Sequence, residues 1–187
     1  MIDPSDENFT VGIVGAGIMG QGVAQVCLTG GMNVILYDVR EGAAEEGLAA
    51  VFKRFARLVE KGRLEERELA RMRGYAIVAS GLVDFAECHL AVEAVFEDLD
   101  LKQRVFGEIE DAVSDDCVIA SNTSSILISS IARTCRSRSR IAGLHFFNPV
   151  PLMQLVEVIQ GPETRPEVIE FLVAAGKRMG RTPVVAK

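Results

Sequence analysis

The sequence has no long apolar run: its apolar stretches are short and interrupted. None approaches the roughly 20 residues that cross a bilayer, which excludes a helical membrane span. No basic-then-apolar segment opens the chain, so an export signal is not expected and a cytoplasmic setting is. Cysteine is sparse. Cys27, Cys88, Cys117 and Cys135 stand far apart, with no C-x-x-C pair and only His89 beside Cys88. That spacing predicts reduced thiols and no metal site. Positive charge is the minority sign, 20 Lys and Arg against 26 Asp and Glu for a net charge of −6, which argues against a nucleic-acid partner. Internal repeats and low-complexity segments are absent too. What is present is 187 residues, 49% apolar and 25% charged, the profile of a single globular domain with one well-filled core.

After a polar start, residues 1–8, expected to be a frayed and flexible tail, apolar runs recur at 9–14, 33–37, 76–79, 89–92, 117–120 and 141–146. Each is short and bounded by turn residues, as buried strands are. Helical spacing fills most of the gaps. Strands alternating with helices predict an α/β fold, a doubly wound, mainly parallel Rossmann-type sheet over residues 9–187 with helices on both faces. Two features lie outside that scheme. Residues 42–73 form a long helical excursion after the second strand, broken at Gly62. Beyond Asn148 a strand at 153–159, a helix at 166–178 and a strand at 182–185 form a C-terminal extension.

The first strand runs into Gly15-Ala16-Gly17-Ile18-Met19-Gly20 and then a helix. Glycine triplets alone are common in turns, but strand, glycine turn and helix in this order make a dinucleotide site. Gly15 permits the tight turn, Gly17 lets backbone amides approach a pyrophosphate, and Gly20 lets the helix lie close to the sheet. The phosphates are expected on the helix N-terminus, where Ile18 and Met19 stand. Asp38, ending the second strand, is placed to accept hydrogen bonds from a ribose diol and to repel a 2′-phosphate. NAD is therefore expected over NADP, although Arg40 nearby could reach a phosphate.

His145 ends the strand at 141–146, at the sheet edge where ligands bind in open α/β folds. The next strand is apolar apart from Gln154 and Glu157, and a hairpin turning near Pro151 sets 145 and 157 opposite one another. A carboxylate facing an imidazole fixes its tautomer and stabilises its protonated form, as an acid–base device requires. A structural histidine bonded to a backbone carbonyl is the other reading. His89 opens an apolar strand and reads as structural. Ser121-Asn122-Thr123-Ser124-Ser125 follows the strand at 117–120 into the same crevice. Five small polar residues exceed what capping a helix from Ile126 needs, so a ligand contact is expected there. Glu97 and Lys102 are candidates for the same crevice, or else a helix-start acid and a solvated lysine.

Together these segments, with Val92-Glu93-Ala94-Val95-Phe96-Glu97 and Gly143-Leu144-His145-Phe146-Phe147-Asn148-Pro149, resemble the L-3-hydroxyacyl-CoA dehydrogenase family from Phe9 onward. The resemblance implies His145 as the catalytic histidine, Glu157 as its partner and Ser124 as the substrate-binding serine. It implies cofactor contacts at Asp38, Glu97, Lys102, Ser124 and Asn148, and oxidation of the 3-hydroxyl of an acyl-CoA with hydride passing to NAD. It also implies that the excursion meets coenzyme A, with Lys61 the best match to the family's lysine and Arg54 near the place where a serine that the family often carries is replaced. Charge supports this independently. Between 53 and 73, Lys53, Arg54, Arg57, Lys61, Arg63, Arg67, Arg71 and Arg73 face Glu60, Glu65, Glu66 and Glu68, a local excess that suits an anion or else forms a solvated face.

The family continues into an all-helical domain that forms a homodimer and covers the acyl chain, and the expectation is that this chain stops before it. Two other readings stay open: a dehydrogenase of a free hydroxy or sugar acid, and a non-enzymatic dinucleotide-binding module.

Overall fold

The structure is a computed structural model describing residues 2–187; Met1, the first residue of the expected tail, lies outside them. Eight strands form one sheet: β1 (Thr10–Val14), β2 (Asn33–Tyr37), β3 (Ala76–Val78), β4 (Leu90–Glu93), β5 (Val118–Ser121), β6 (Ile141–Phe146), β7 (Leu155–Ile159) and β8 (Thr182–Ala186). Their order is β3-β2-β1-β4-β5-β6-β7-β8. The first six are parallel, β7 is antiparallel to β6, and β8 runs parallel to β7. This is the expected doubly wound sheet, and its order reverses between β1 and β4, the place where such folds open a ligand crevice.

Among the described residues six α-helices lie between the strands: α1 (Ile18–Thr29), α2 (Ala43–Glu60), α3 (Glu66–Gly74), α4 (Leu99–Ala112), the single turn α5 (Ile128–Ile131) and α6 (Pro166–Arg178). Strand alternation divides their packing between the two sheet faces. Val11, Ile13, Leu90, Val92, Leu144, Val156 and Val158 pack with α1, α2 and α6 in one core. Val14, Ala91, Ile119 and Ile141 pack with α4 and α5 in the other. The excursion is α2 and α3; α2 buries Ala44, Leu48, Val51, Phe52 and Phe55, spaced to make one apolar stripe.

In the polar start Pro4 is buried, and Arg178 donates to the carbonyls of Pro4 and Asp6 while also binding those of Gly30 and Gly31. One buried-facing guanidinium thereby ties the segment to α1's C-terminal turn, which polarity along the chain does not reveal. The strand expected from Met153 begins at Leu155, because the amides of Leu152 and Met153 bond back to the Pro149 carbonyl in an exposed turn.

All four cysteines are buried and free. Burial pushes their thiols up, Cys27 and Cys117 to about 12, so they stay protonated near neutrality. His89 is structural, as expected; its Nδ1 accepts the Thr10 amide at 3.0 Å and its ring stacks on Phe9. Among the described residues no helix is long and apolar enough to cross a membrane.

Candidate cofactor and active site

The glycine turn leaves β1 with Gly15 at φ 104°, where a Cβ would also press on the Ala94 carbonyl oxygen at 2.6 Å. A Cβ on Gly20 would overlap the Gly15 carbonyl, so only glycine lets α1 start this close to the turn. Gly17 faces open space, with nothing within 4 Å of where its Cβ would be. It is also the N-cap of α1 and supplies no side-chain cap. The first N–H groups of the helix therefore lack side-chain acceptors on an open surface, the arrangement that receives a phosphate. These residues fit a dinucleotide.

Asp38 does two jobs within the protein. Its Oδ2 accepts the Ala16 amide at 2.7 Å and its Oδ1 the Arg40 amide at 2.9 Å, so the carboxylate props the turn as well as standing beside it. The Arg40 side chain turns to Glu46 at 2.7 Å.

Beside the turn lies a cavity of about 320 Å³, lined by Met19, Ala94, Val95, Glu97, Asn122, Ser124, His145, Phe146, Phe147 and Asn148. It joins the ends of β4, β5 and β6 to the start of α1. His145 and Glu157 are directly opposed in the β6–β7 ladder, and Nδ1 lies 2.8 Å from Glu157 Oε2. Because an ionised carboxylate only accepts, it assigns the hydrogen to Nδ1 and leaves the Nε2 lone pair free. Phe147 packs on the imidazole at 4.6 Å between centroids. Glu157 belongs to the half-buried row of β7, with Val156 and Val158 pointing into the core, so its carboxylate keeps some water.

Glu97 organises the loop after β5. Its Oε1 accepts the Thr123 hydroxyl at 2.6 Å and the amides of Ser124 and Ser125 at 3.0 and 3.2 Å. Burial raises its carboxyl, but the Thr123 hydroxyl, the Lys102 ammonium and the Ser124 amide outweigh that and hold it at about 2. Glu97 is therefore a fixed anion at neutral pH. The helix-start acid is its neighbour Asp98, which caps α4 through the Leu101 amide. Thr123 closes the loop by accepting the Ile126 amide at 2.9 Å, and the helix that follows is only the single turn α5.

Lys102 is not the solvated lysine of the alternative reading: its side chain is 1% exposed, with Nζ 2.7 Å from Glu93 Oε1 and 3.2 Å from Glu97 Oε2. Val105, Phe106 and Ile109 share its helix face, so helical spacing carries the lysine under the site. The donors of Arg54, expected to meet substrate, bond Gln25 and Gln21 of α1. Lys61 is exposed just beyond α2, outside the cavity. Two residues have roles that the sequence did not assign them. Glu93, fully buried, accepts Lys102, the Val95 amide and the Ser121 hydroxyl; a glutamate ending an apolar strand was the available signal. Asn122 Oδ1 accepts the Phe146 amide at 2.8 Å and so ties the β5 loop to the strand end carrying His145.

A glycine turn on an open helix start, an acid at the end of β2, and an imidazole–carboxylate pair in the adjoining cavity define a nucleotide-dependent dehydrogenase domain. Comparison with known proteins sharpens the class. Residues 10–187 match the family described as 3-hydroxyacyl-CoA dehydrogenase, NAD binding domain. The fatty acid oxidation complex subunit alpha of Pseudomonas aeruginosa is 40% identical over 173 residues, covering 92% of this chain and 24% of that protein. A probable 3-hydroxybutyryl-CoA dehydrogenase of Deinococcus radiodurans is 37% identical, covering 92% of this chain and 62% of that one. The crystal structure of (S)-3-hydroxybutyryl-CoA dehydrogenase from Ralstonia eutropha superposes with a TM-score of 0.92 at 38% identity, over 95% of this chain and 63% of that one. The chain belongs to the 3-hydroxyacyl-CoA dehydrogenase family and constitutes its NAD-binding domain. It spans less than two thirds of the length of these relatives.

Proposed function

We propose that this chain is the cofactor-binding and base-carrying part of an enzyme that oxidises the 3-hydroxyl of an L-3-hydroxyacyl-CoA to the 3-oxo thioester. The observation that carries the reading is the His145–Glu157 pair, with Nε2 free, in the cavity that adjoins the glycine turn. NAD, when bound, supplies the acceptor for the hydride leaving C3. His145 Nε2 takes the hydroxyl proton, and Glu157 stabilises the imidazolium that results. Ser124 lines the same cavity and orients the substrate oxygen, on a loop that Glu97 holds in place. Met19 and Asn148 line the cavity as further cofactor contacts, and Ile18 stands at the open start of α1. The remainder of the relatives' length is where the resemblance puts the helical domain that forms the homodimer. Four buried thiols suit a reducing cytoplasm.

Steady-state oxidation of L-3-hydroxybutyryl-CoA against free L-3-hydroxybutyrate tests the reading. The thioester should be strongly preferred, and equal kcat/KM values would mean a free hydroxy acid is the substrate. Lys61→Glu should raise KM for the thioester, less so at high salt, while the NAD Kd stays unchanged. An equal loss of NAD affinity would remove Lys61 from coenzyme A binding.

Cofactor choice is tested separately. Calorimetry should show NAD bound more tightly than NADP by about tenfold or more, since a 2′-phosphate would meet the Asp38 carboxylate. Asp38→Ala should narrow that ratio and also weaken NAD itself, because Ala16 loses its acceptor. Equal affinities in the unsubstituted protein would reject the assignment.

A further inference from the structure

The excursion helix α2 reaches the glycine turn through Arg54, a side chain that does not line the cavity. Arg54 Nε donates to Gln25 Oε1 at 2.8 Å, which fixes the guanidinium against α1. Its two terminal nitrogens then fork onto Gln21 Oε1 at 3.4 and 3.3 Å. Gln21 in turn donates from Nε2 to the Ala16 carbonyl at 2.9 Å. These contacts form one directed chain, from Arg54 through the Gln21 amide to the carbonyl inside the turn.

Direction follows from what each group can do. A guanidinium only donates, so it compels the Gln21 amide to present oxygen to Arg54 and nitrogen to Ala16. A trans peptide is planar with its C=O and N–H pointing opposite ways. Pinning the Ala16 carbonyl toward Gln21 therefore turns the Gly17 N–H of the same peptide away from Gln21, at a residue with nothing within 4 Å of where a Cβ would be. The other side of Ala16 is already held, its amide bonded to Asp38. With both peptides around Ala16 fixed, the turn meets an anion preorganised.

We infer that Arg54 is a positioning residue for NAD, acting through Gln21 to aim the Gly17 amide at the pyrophosphate. The excursion thus serves the cofactor site as well as any anion on its outer face. The inference rests on the turn being the dinucleotide site.

Calorimetric titration of the chain with ADP-ribose, which carries the pyrophosphate without the nicotinamide, tests it alongside NAD. Arg54→Met and Gln21→Met should each weaken ADP-ribose about tenfold, the worth of a lost charge-assisted contact. The double variant should be no worse than the weaker single one, since both lie on one chain. In ¹⁵N spectra the Gly17 amide should shift in both variants, which a merely structural role for Arg54 would not require. Losses that multiply would mean that Arg54 acts by its own charge and would overturn the inference, as would unchanged ADP-ribose affinity. Failure of the unsubstituted chain to bind ADP-ribose would overturn the dinucleotide site itself and the inference with it. If Arg54→Met does not fold, Arg54→Gln, which stays polar but is shorter, uncharged and without the fork, supports the same comparison.

Discussion

Replacing His145 with alanine is expected to lower kcat for an L-3-hydroxyacyl-CoA by about 10²–10⁴, the usual worth of a positioned general base, while NAD affinity stays within a factor of about two. The structure gives the reason for the separation. His145 sits at the end of β6 with its Nδ1 engaged, and the glycine turn is built by other residues around Gly15 and Asp38. Glu157→Gln should cost less. A glutamine oxygen can still accept from Nδ1 and preserve the tautomer, but it offers no charge to the imidazolium. Because Glu157 acts only through the ring, the double variant should be no slower than His145→Ala alone. Parallel kcat and NAD-binding measurements on the three variants decide this. Independent, multiplying losses would remove Glu157 from its place behind the histidine, and an unaltered kcat in His145→Ala would remove the base.

That pair was legible because two simple rules converge on it. Strand alternation puts Glu157 on a definite face of β7, and a hairpin turning at Pro151 fixes which residue it meets. The ladder has His145 opposite Glu157 although β7 begins later than expected, since register depends on the turn and not on where pairing starts. The parallel strands were legible for a related reason: burial on both faces makes them short apolar runs between turns. The inward partners of Lys102 and Arg54 were not read, because local polarity is a poor guide where one long side chain finds partners on another element. For Lys102 a signal existed. It shares a helical face with Val105, Phe106 and Ile109, and a lone glutamate ends the neighbouring strand. Arg54 offered none, since its partners Gln21 and Gln25 are met only once α2 packs on α1. The clasp of Arg178 on the chain start spans more than a hundred residues and is likewise invisible to any local pattern.

The same buried lysine leads to the largest expected effect on stability. Lys102 is 1% exposed and Glu93 fully buried, so neither charge can turn to water if the other is removed. Lys102→Met keeps the apolar stem and the volume but strands the Glu93 carboxylate with only the Val95 amide and the Ser121 hydroxyl. Breaking such a buried pair costs about 3–5 kcal/mol. For a domain of this size that corresponds to a fall in Tm on the order of 10 °C. Charge, not packing, is the cause, so Glu93→Gln added to Lys102→Met should restore much of the loss: an amide can keep the Val95 contact without a buried charge. Glu97→Gln should cost far less, because its side chain is 38% exposed and can be hydrated. Urea unfolding of these variants tests the account. A loss below about 1 kcal/mol in Lys102→Met, the range of an exposed ion pair, would mean that the pair reaches water. If the rescued double variant regained stability yet bound NAD many-fold more weakly, Lys102 would be acting on the cofactor directly and not from beneath the site.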